Sequence, residues 1–408
     1  MKKMTKRFLS VLLAVLTVVT IIPVSVFADG DITVSTADEL RRLSEAVAGG
    51  ESYEGRTVVL AADIDLGGKS APWSPIGSSS ATFKGIFDGG YHVVSGLYID
   101  SGSSIGLFGD VNGGEIRNLV VRGEVSGSSN AAGIVGKLTA GKVTNCGNEA
   151  DVSGGTNVGG VVGSVNGACT VSGCYNSGAV SGTTGYIGGV TGQHWRAGVV
   201  EDCYNAGTVS GPATVGGVVG GHKAASPVLS RCYNAGAVVD TAGNSNNIDA
   251  VIGASRGTNT DCYFISGSGS STKSGVTEVS SLTAAELGDA FKADTDGLNG
   301  GLPVLTWQER KPDLIIGSYE AFKAFADSVN NGNSYEGKLV RLACNVFLGG
   351  KSAPWSPIGS SSASFKGVFD GGYHVVSGLY ISSGSGIGLF GDVNGGEIRN
   401  LVVRGEVS

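Results

Sequence analysis

Five cysteines recur at nearly constant spacing, and thiols are the side chains here with the most versatile chemistry. Successive members stand 28, 29, 29 and 30 residues apart: Cys146, Cys174, Cys203, Cys232 and Cys262. A zinc site needs about four converging ligands, whereas one cysteine per repeat keeps the thiols apart. Five thiols also cannot all pair with one another. We therefore expect buried free thiols without metal, and a disulfide such as Cys169–Cys174 is the alternative.

Each of these cysteines begins a recurring phrase, Cys-Tyr-Asn-x-Gly-x-Val-Ser-Gly, followed by Val-Gly-Gly-Val-Val-Gly. Short β-branched runs between Gly, Ser and Asn are typical of strands broken by turns. The period is too short for a propeller blade of about 40–45 residues and suits one coil of a stacked array. The pattern predicts an all-β fold over residues 131–264, a right-handed parallel β-solenoid with short capping helices.

The solenoid register assigns a role to each column of the repeat. Leu119 falls 27 residues before Cys146, so the cysteine position accepts a modest apolar side chain and is predicted to face inward. Asn148, Asn176, Asn205 and Asn234 form a second column. Asparagine tolerates left-handed corners and can bond to the next asparagine in a stack. We interpret this column as a structural amide ladder.

The aromatic residues beside these columns are the candidate ligand-binding side chains. Tyr175, Tyr204 and Tyr233 each follow a cysteine, and neighbours on a strand face opposite sides. They are predicted either to form an exposed binding stripe or to lie beneath a loop. Trp195, in the variable turn His194-Trp195-Arg196, completes the candidate set. The variable turn at His222-Lys223 is a second loop that could bind a ligand. Aromatic rings offer large contact areas at low entropic cost.

The segment Gly159-Gly-Val-Val-Gly163 and its counterpart at residues 216–220 resemble the GLUG repeat of exported bacterial surface proteins. Residues 83–92 and 105–109 resemble the segment that precedes such repeats. The resemblance runs over nearly the whole chain after its first residues. It implies a β-solenoid in a secreted or cell-surface setting and no catalytic residues. Some large members of this family carry a peptidase domain elsewhere.

No sequence motif for catalysis stands out. Gly-x-Ser-x-Gly, His-Glu-x-x-His and the P-loop are all missing from the sequence. Asp88 and His92 are predicted to be a turn and a strand residue, and Trp73 a buried anchor. We expect an adhesion, interaction or spacer module with no enzymatic activity, no cofactor and no metal. The alternative is a polysaccharide-active or proteolytic enzyme, with its site near His194 and Asp202 or in a domain beyond Ser408.

Composition and the first residues favour an extracellular setting. A net charge of −7, with only 15% charged residues, gives no basic stripe for nucleic acid. Residues 1–28 read as a signal peptide: four basic residues precede an apolar run from Phe8 to Ile22, and Val26-Phe27-Ala28 occupies the cleavage positions. An uncleaved membrane anchor is the alternative. The expected partners are surface glycans or other cell-surface proteins, with no membrane span after cleavage.

The domain plan follows from the repeats and from a duplication. We predict a helical cap and entry module at residues 29–127, the repeat coils at 128–266, and a far cap with linker at 267–312. Capping-box patterns at Thr36 and Thr283 mark the helices. Residues 314–408 repeat residues 32–126 at a constant offset, with four differences from Gly67 onward. Residues 313–408 are therefore predicted to be a second, truncated entry module, and the sequence a fragment.

Overall fold

The computed structural model describes residues 32–243, 247–308, 312–372, 374–382 and 387–407. The chain divides into two compact units, residues 1–307 (unit 1) and 308–408 (unit 2), and each is described by itself. The predicted signal peptide, residues 1–28, lies outside the described residues. Within the described ranges, no helix combines the length and apolar character needed to cross a bilayer.

Unit 1 is a parallel β-solenoid, which confirms the predicted fold class. Apolar side chains from successive coils stack in register because parallel strands lie about 4.8 Å apart and keep equivalent residues on one face. One such column runs through the unit: Ile32, Val58, Phe87, Ile116, Val143, Val171, Val200 and Leu229. The polar Asn259 follows Leu229 in the same register. The core is thus one continuous apolar interior rather than a separate core for each repeat.

The first coils are entered through a short strand and a helix. Helix α1, Ala37–Ala48, begins at Thr36, whose side chain and that of Glu39 form the predicted capping box. Its buried face carries Leu40, Leu43 and Val47, which join the solenoid core. The strands of this region are Ile32–Val34, Thr57–Leu60, Ile64–Asp65, Ile86–Ile99, Ser103–Ile105, Phe108–Ala131, Val135–Asn148 and Asp151–Gly159, with a 3₁₀ turn at Gly68–Ser70.

From Val162 onward each coil is built from short strands separated by sharp turns. The strands of this region are Val162–Val165, Thr170–Ser172, Tyr175–Asn176, Val180–Gly182, Tyr186–Gly188, Thr191–His194, Val199–Glu201, Tyr204–Asn205, Val209–Gly211, Thr214–Gly216, Val219–His222, Val228–Ser230, Tyr233–Asn234, Val238–Asp240, Asn247–Asp249, Ile252–Ala254, Thr258–Thr260 and Cys262–Ile265. Each pairs in parallel with its equivalents one repeat away, so every side-chain column is fixed by backbone hydrogen bonds.

The asparagine ladder explains why the Gly-Gly and Cys-Tyr-Asn motifs occur together. Asn176 Nδ2 donates to Asn205 Oδ1 at 2.7 Å and to the Gly178 carbonyl at 2.8 Å, in a fully buried position. A Cβ on Gly160 would overlap the Asn176 side chain. Gly160 therefore leaves the space that the Asn176 amide occupies. A side chain in the Gly-Gly motif would require a change in the Cys-Tyr-Asn motif. The predicted structural role of this column is confirmed.

The last segment of unit 1 differs from the predicted far cap. Strand Val276–Val279 adds one rung to Cys262–Ile265. Helix α2, Ala284–Leu287, and the antiparallel pair Phe291–Lys292 and Val304–Leu305 then pack against the tyrosine column on the flank of the solenoid. The segment runs back along the stack as far as Trp307, whose Nε1 donates to the Gly173 carbonyl at 2.8 Å. We call residues 282–307 the lateral segment, because it covers a side of the solenoid.

Unit 2 repeats the entry architecture of unit 1. Helix α3, Tyr319–Asn330, buries Phe322, Phe325 and Val329 where α1 buries aliphatic residues. The strands are Leu314–Ile316, Leu339–Leu342, Val346–Phe347, Val368–Asp370, Val375–Ile381, Glu397–Arg399 and Val402–Val407, with a 3₁₀ turn at Gly350–Ser352. Its stacked column, which includes Val340 and Phe369, is equivalent to that of unit 1.

Candidate functional site

The tyrosine ladder, Tyr175, Tyr204 and Tyr233, points away from the solenoid interior, as the strand alternation predicts. The rings of Tyr175 and Tyr204 stack with centroids 5.5 Å apart, and those of Tyr204 and Tyr233 with centroids 5.1 Å apart. All three side chains are nevertheless buried, with Tyr175 the most accessible at 6%. The prediction of an exposed binding stripe is therefore wrong for these residues, and the alternative of a covered row is correct.

The lateral segment is what covers the tyrosine ladder. Leu282, Leu287, Phe291 and Leu305 form one apolar cluster with the three rings. The hydroxyl groups are satisfied at the edges of this cluster: Tyr233 donates to the Pro303 carbonyl and accepts a bond from Asn299, while Tyr175 donates to Glu149 at 2.6 Å. Burial raises the pKa of the Tyr175 and Tyr233 hydroxyls well above the ordinary value. The ladder thus acts as a second apolar core.

Trp195, the fourth candidate, is exposed on a different side of the coil. Its ring is 41% accessible, and the Lys223 ammonium lies 4.8 Å from the ring centroid. The backbone N–H of Trp195 donates to the Val165 carbonyl at 2.8 Å, which fixes the start of the turn. This turn, residues 195–198, stacks on residues 223–227 and 255–257 of the next two coils, which follow equivalent strands.

Three exposed cations occupy these stacked turns: Arg196, Lys223 and Arg256. Together with Trp195 they form a surface that we call the basic corner. None of the three turns contains an acidic residue. Among the residues that the structure describes, no ion pair involves any of these three cations. The site therefore presents uncompensated positive charge beside an aromatic ring, an arrangement suited to anionic ligands.

Two buried histidines lie directly beneath the basic corner. His194 and His222 end paired strands, and their ring centroids are 5.2 Å apart. The ring nitrogens of His194 and the Nε2 atom of His222 have no hydrogen-bond partner, while His222 Nδ1 accepts from the Gly257 N–H at 3.2 Å. Burial, together with the neighbouring His222, lowers the pKa of His194 to about 3, and burial lowers that of His222 to about 4. Both rings are neutral near pH 7.

The cysteine column lies in the solenoid interior, as predicted. Cys146 occupies the column of Leu119, and all five repeat cysteines are buried and unpaired. The Cys174 N–H donates to Cys203 Sγ at 3.4 Å, so the thiols stack without bonding to one another covalently. Burial raises the pKa of Cys203 well above that of a free thiol. Cys169 and Cys174 are also free, so the alternative of a disulfide between them is not realised.

The residues considered for acid–base chemistry are held in other pairings. Asp88 accepts from Arg117 Nε at 2.9 Å, whereas His92 Nδ1 lies 2.9 Å from Asp63 Oδ1. Asp202 is bound by Arg231, with 2.6 Å between the Arg231 Nε and Asp202 Oδ1 atoms.

His194, the other residue named for an enzymatic site, is fully buried with its ring against His222. Over the described ranges, no group of three or more His, Cys, Asp or Glu side chains is arranged to hold a metal ion. Trp73 is buried and donates from Nε1 to the Leu107 carbonyl at 3.1 Å, which confirms its role as an anchor.

The sequence identified the turns at Trp195 and Lys223 as candidate ligand loops, but it did not place them side by side and did not single out Arg256. The available signal was the position of Lys223 and Arg256: each follows the Gly-rich strand of its repeat, at the point where Trp195 and Arg196 follow theirs. Such turns vary between coils, and unequal turn lengths conceal the alignment. The stacking of the flanking strands is what brings the three turns that carry these residues to one corner.

No family model matches the chain, and no curated protein is significantly similar to it. Among solved structures, the chain is similar to a Bacteroides ovatus protein described as a candidate immunoglobulin A1 protease, with a TM-score of 0.52 and 21% identity. The similarity covers 68% of this chain and 93% of that protein. At this identity the likeness supports a shared fold and carries no catalytic residue over.

Proposed function

We propose that unit 1 is a non-catalytic extracellular module that binds surface glycans or cell-surface proteins through the basic corner. The observation that carries this proposal is the exposed Trp195 ring on a turn fixed by the solenoid backbone. Exposed aromatic side chains on rigid scaffolds are frequent anchors for ligands. The stack also offers an elongated surface rather than a deep pocket, which suits a long ligand.

Binding of the full chain to immobilised glycans and to extracellular proteins, compared with a Trp195→Ala variant, tests this proposal. We expect the variant to lose at least about tenfold in affinity, roughly the contribution of one well-placed aromatic anchor. Phe347→Ala is the matched control, because Phe347 is a 66% exposed aromatic residue in unit 2. Absence of binding, or equal loss in both variants, would favour a spacer that holds other domains at a distance.

A second candidate function is an accessory region of a protease, favoured by the similarity to the Bacteroides ovatus protein. The residues around His194 support no acid–base site, since this ring is buried and Asp202 is bound to Arg231. The solenoid would then bind or position a protein substrate. Incubation of the full chain with immunoglobulin A1, followed by electrophoresis, separates the candidates: cleavage supports an enzyme, and binding without cleavage supports an accessory role.

The extracellular setting is part of the same proposal. It is supported by the basic and apolar pattern of residues 1–28 and by the resemblance to GLUG-repeat proteins. Expression in a bacterial host, followed by fractionation and N-terminal sequencing, provides the test. A chain recovered outside the cytoplasm that begins near Asp29 supports export with cleavage. Retention of the first residues in a membrane fraction would support the anchor instead.

A further inference from the structure

We propose that the basic corner binds a linear polyanionic glycan that carries a carboxylate or sulfate on successive sugars. This inference rests on the proposed binding function and specifies its ligand class. Its basis is the stack of Arg196, Lys223 and Arg256, exposed in consecutive coils beside Trp195.

The cations of the basic corner differ from most others of unit 1 in having no acidic partner. Arg231 is bound by both Glu201 and Asp202, and Arg117 by Asp88 and Glu115. Arg122 pairs with Glu149, and Lys137 with the buried Asp110. In a chain of net charge −7, these pairings neutralise the basic side chains locally. The basic corner is therefore a local positive surface on an acidic protein, which is where an anion is attracted.

The backbone presents this surface in a fixed form. Arg196 has φ of 63°, a left-handed conformation that is costly for a residue with a long side chain. Gly198 closes the same turn, where a Cβ would come 2.5 Å from His194 Nε2. On the next coil the Lys223 N–H donates to the His194 carbonyl at 3.0 Å. The turn that holds Arg196 in this conformation is thus tied to the next coil at His194, and strain of this kind concentrates at functional sites.

The spacing of the stack selects the ligand class. Consecutive coils lie about 4.8 Å apart, which is close to the advance of one sugar ring along an extended polysaccharide. A polymer with one anionic group per sugar can therefore place successive charges opposite successive coils. Guanidinium groups bind carboxylates and sulfates in a bidentate manner, and the open face of Trp195 can pack against the apolar face of a sugar ring. A neutral glycan would use only the aromatic contact.

Polygalacturonate and its fully methyl-esterified form are matched probes, because they share a backbone and differ in charge. Binding of the full chain to each is measured by biolayer interferometry, with a sulfated glycosaminoglycan as a second anionic probe. We expect binding to both anionic polymers and at least about tenfold weaker binding to the ester. Binding should disappear when ionic strength rises from about 0.1 M to about 1 M, since the Debye length then shortens from about 10 Å to about 3 Å.

The decisive variant is Arg196→Gln/Lys223→Gln/Arg256→Gln. Its control, Arg42→Gln/Lys69→Gln/Lys84→Gln, removes the same charge from the entry region, where Arg42 and Lys69 are exposed and Lys84 is half-buried. We expect the first variant to bind polygalacturonate about thirtyfold more weakly, from three charge contacts of modest strength each, and the control to bind as the unmodified chain does. Thermal unfolding of both variants verifies that the coils remain folded.

The outcomes separate this inference from the function on which it rests. Equal losses in the two triple variants, or equal binding of a single-stranded oligonucleotide, would overturn a specific polyanionic-glycan site. Binding of the neutral ester that depends on Trp195 but not on the three cations would overturn the inference and leave the binding function in place. No binding of any polymer or protein by the full chain would overturn both.

Discussion

Acidification should destabilise unit 1 through the two histidines beneath the basic corner. In the folded chain the pKa of His194 is about 3 and that of His222 about 4, against an ordinary value of 6.5. Between about pH 4 and pH 6.5 the unfolded chain therefore binds more protons than the folded chain. The free energy of unfolding consequently falls as the pH falls through this window.

The size of the effect follows from these pKa differences. Each pH unit inside the window costs about 1.4 kcal/mol per histidine. From pH 7.5 to pH 5.0 each histidine should therefore remove about 2 kcal/mol, and the pair about 4 kcal/mol. This is a large fraction of the stability of a typical domain, about 5–15 kcal/mol.

A variant supplied by the chain's own register isolates this contribution. Leu138 and Val165 occupy the same column as His194 and His222 in the two preceding coils. His194→Val/His222→Val should therefore keep the packing while removing the titration. Urea unfolding of both proteins at pH 7.5 and pH 5.0, followed by circular dichroism, gives the four free energies required.

The quantity to compare is the loss of unfolding free energy between the two pH values, because the two proteins share all their other ionisable groups. We expect this loss to be about 4 kcal/mol greater in the unmodified chain, because only that chain carries the two buried histidines. Equal losses in the two proteins would refute the reasoning, since they would show that the histidines are protonated without cost in the folded state.

Three further predictions concern the asparagine ladder and the cysteines. Asn205→Ala should lower the free energy of unfolding by about 3 kcal/mol. It removes the hydrogen bonds from a fully buried amide to Asn234 and Gly207 and leaves these partners unsatisfied. Denaturant titration measures the change. Cys203→Val should cost about 1 kcal/mol or less in the same assay, because the column accepts apolar side chains of similar volume. In the native protein Cys344 should be alkylated first, because it is partly accessible whereas the other cysteines are buried, and peptide mass spectrometry identifies the modified thiol.

The repeat period was sufficient to predict the columns of the solenoid. Spacing alone placed Leu119 with Cys146 and the asparagines in one stacked ladder, because parallel stacking keeps equivalent residues in register. Alternation along the strand likewise placed Tyr175 on the face opposite Cys174. These relations are local and recur in every coil, so each repeat supplies independent support for the same assignment.

The covering of the tyrosine ladder could not be predicted in this way. Leu287 and Phe291 lie outside the repeats. Their apolar character predicts that they are buried, but it does not identify the surface against which they pack. The same limit appears between the units: Ile116 is fully buried and its equivalent Ile398 is 39% exposed, although the surrounding sequences are almost identical. Burial of a coil depends on the coil stacked upon it, which the coil's own sequence does not specify.

A solenoid confines functional variation to particular positions. A side chain in an internal column contacts its equivalents above and below, so a change there must be accommodated by two further coils. Cysteine and asparagine therefore recur at the buried positions, and His194 and His222 replace an apolar pair only at the expense of unsatisfied ring nitrogens. An exposed turn has no such constraint, because its side chains face solvent. Residues in such turns can therefore differ from coil to coil without loss of the fold. Recognition can depend on them, and here they are Trp195 and the cations of the neighbouring turns.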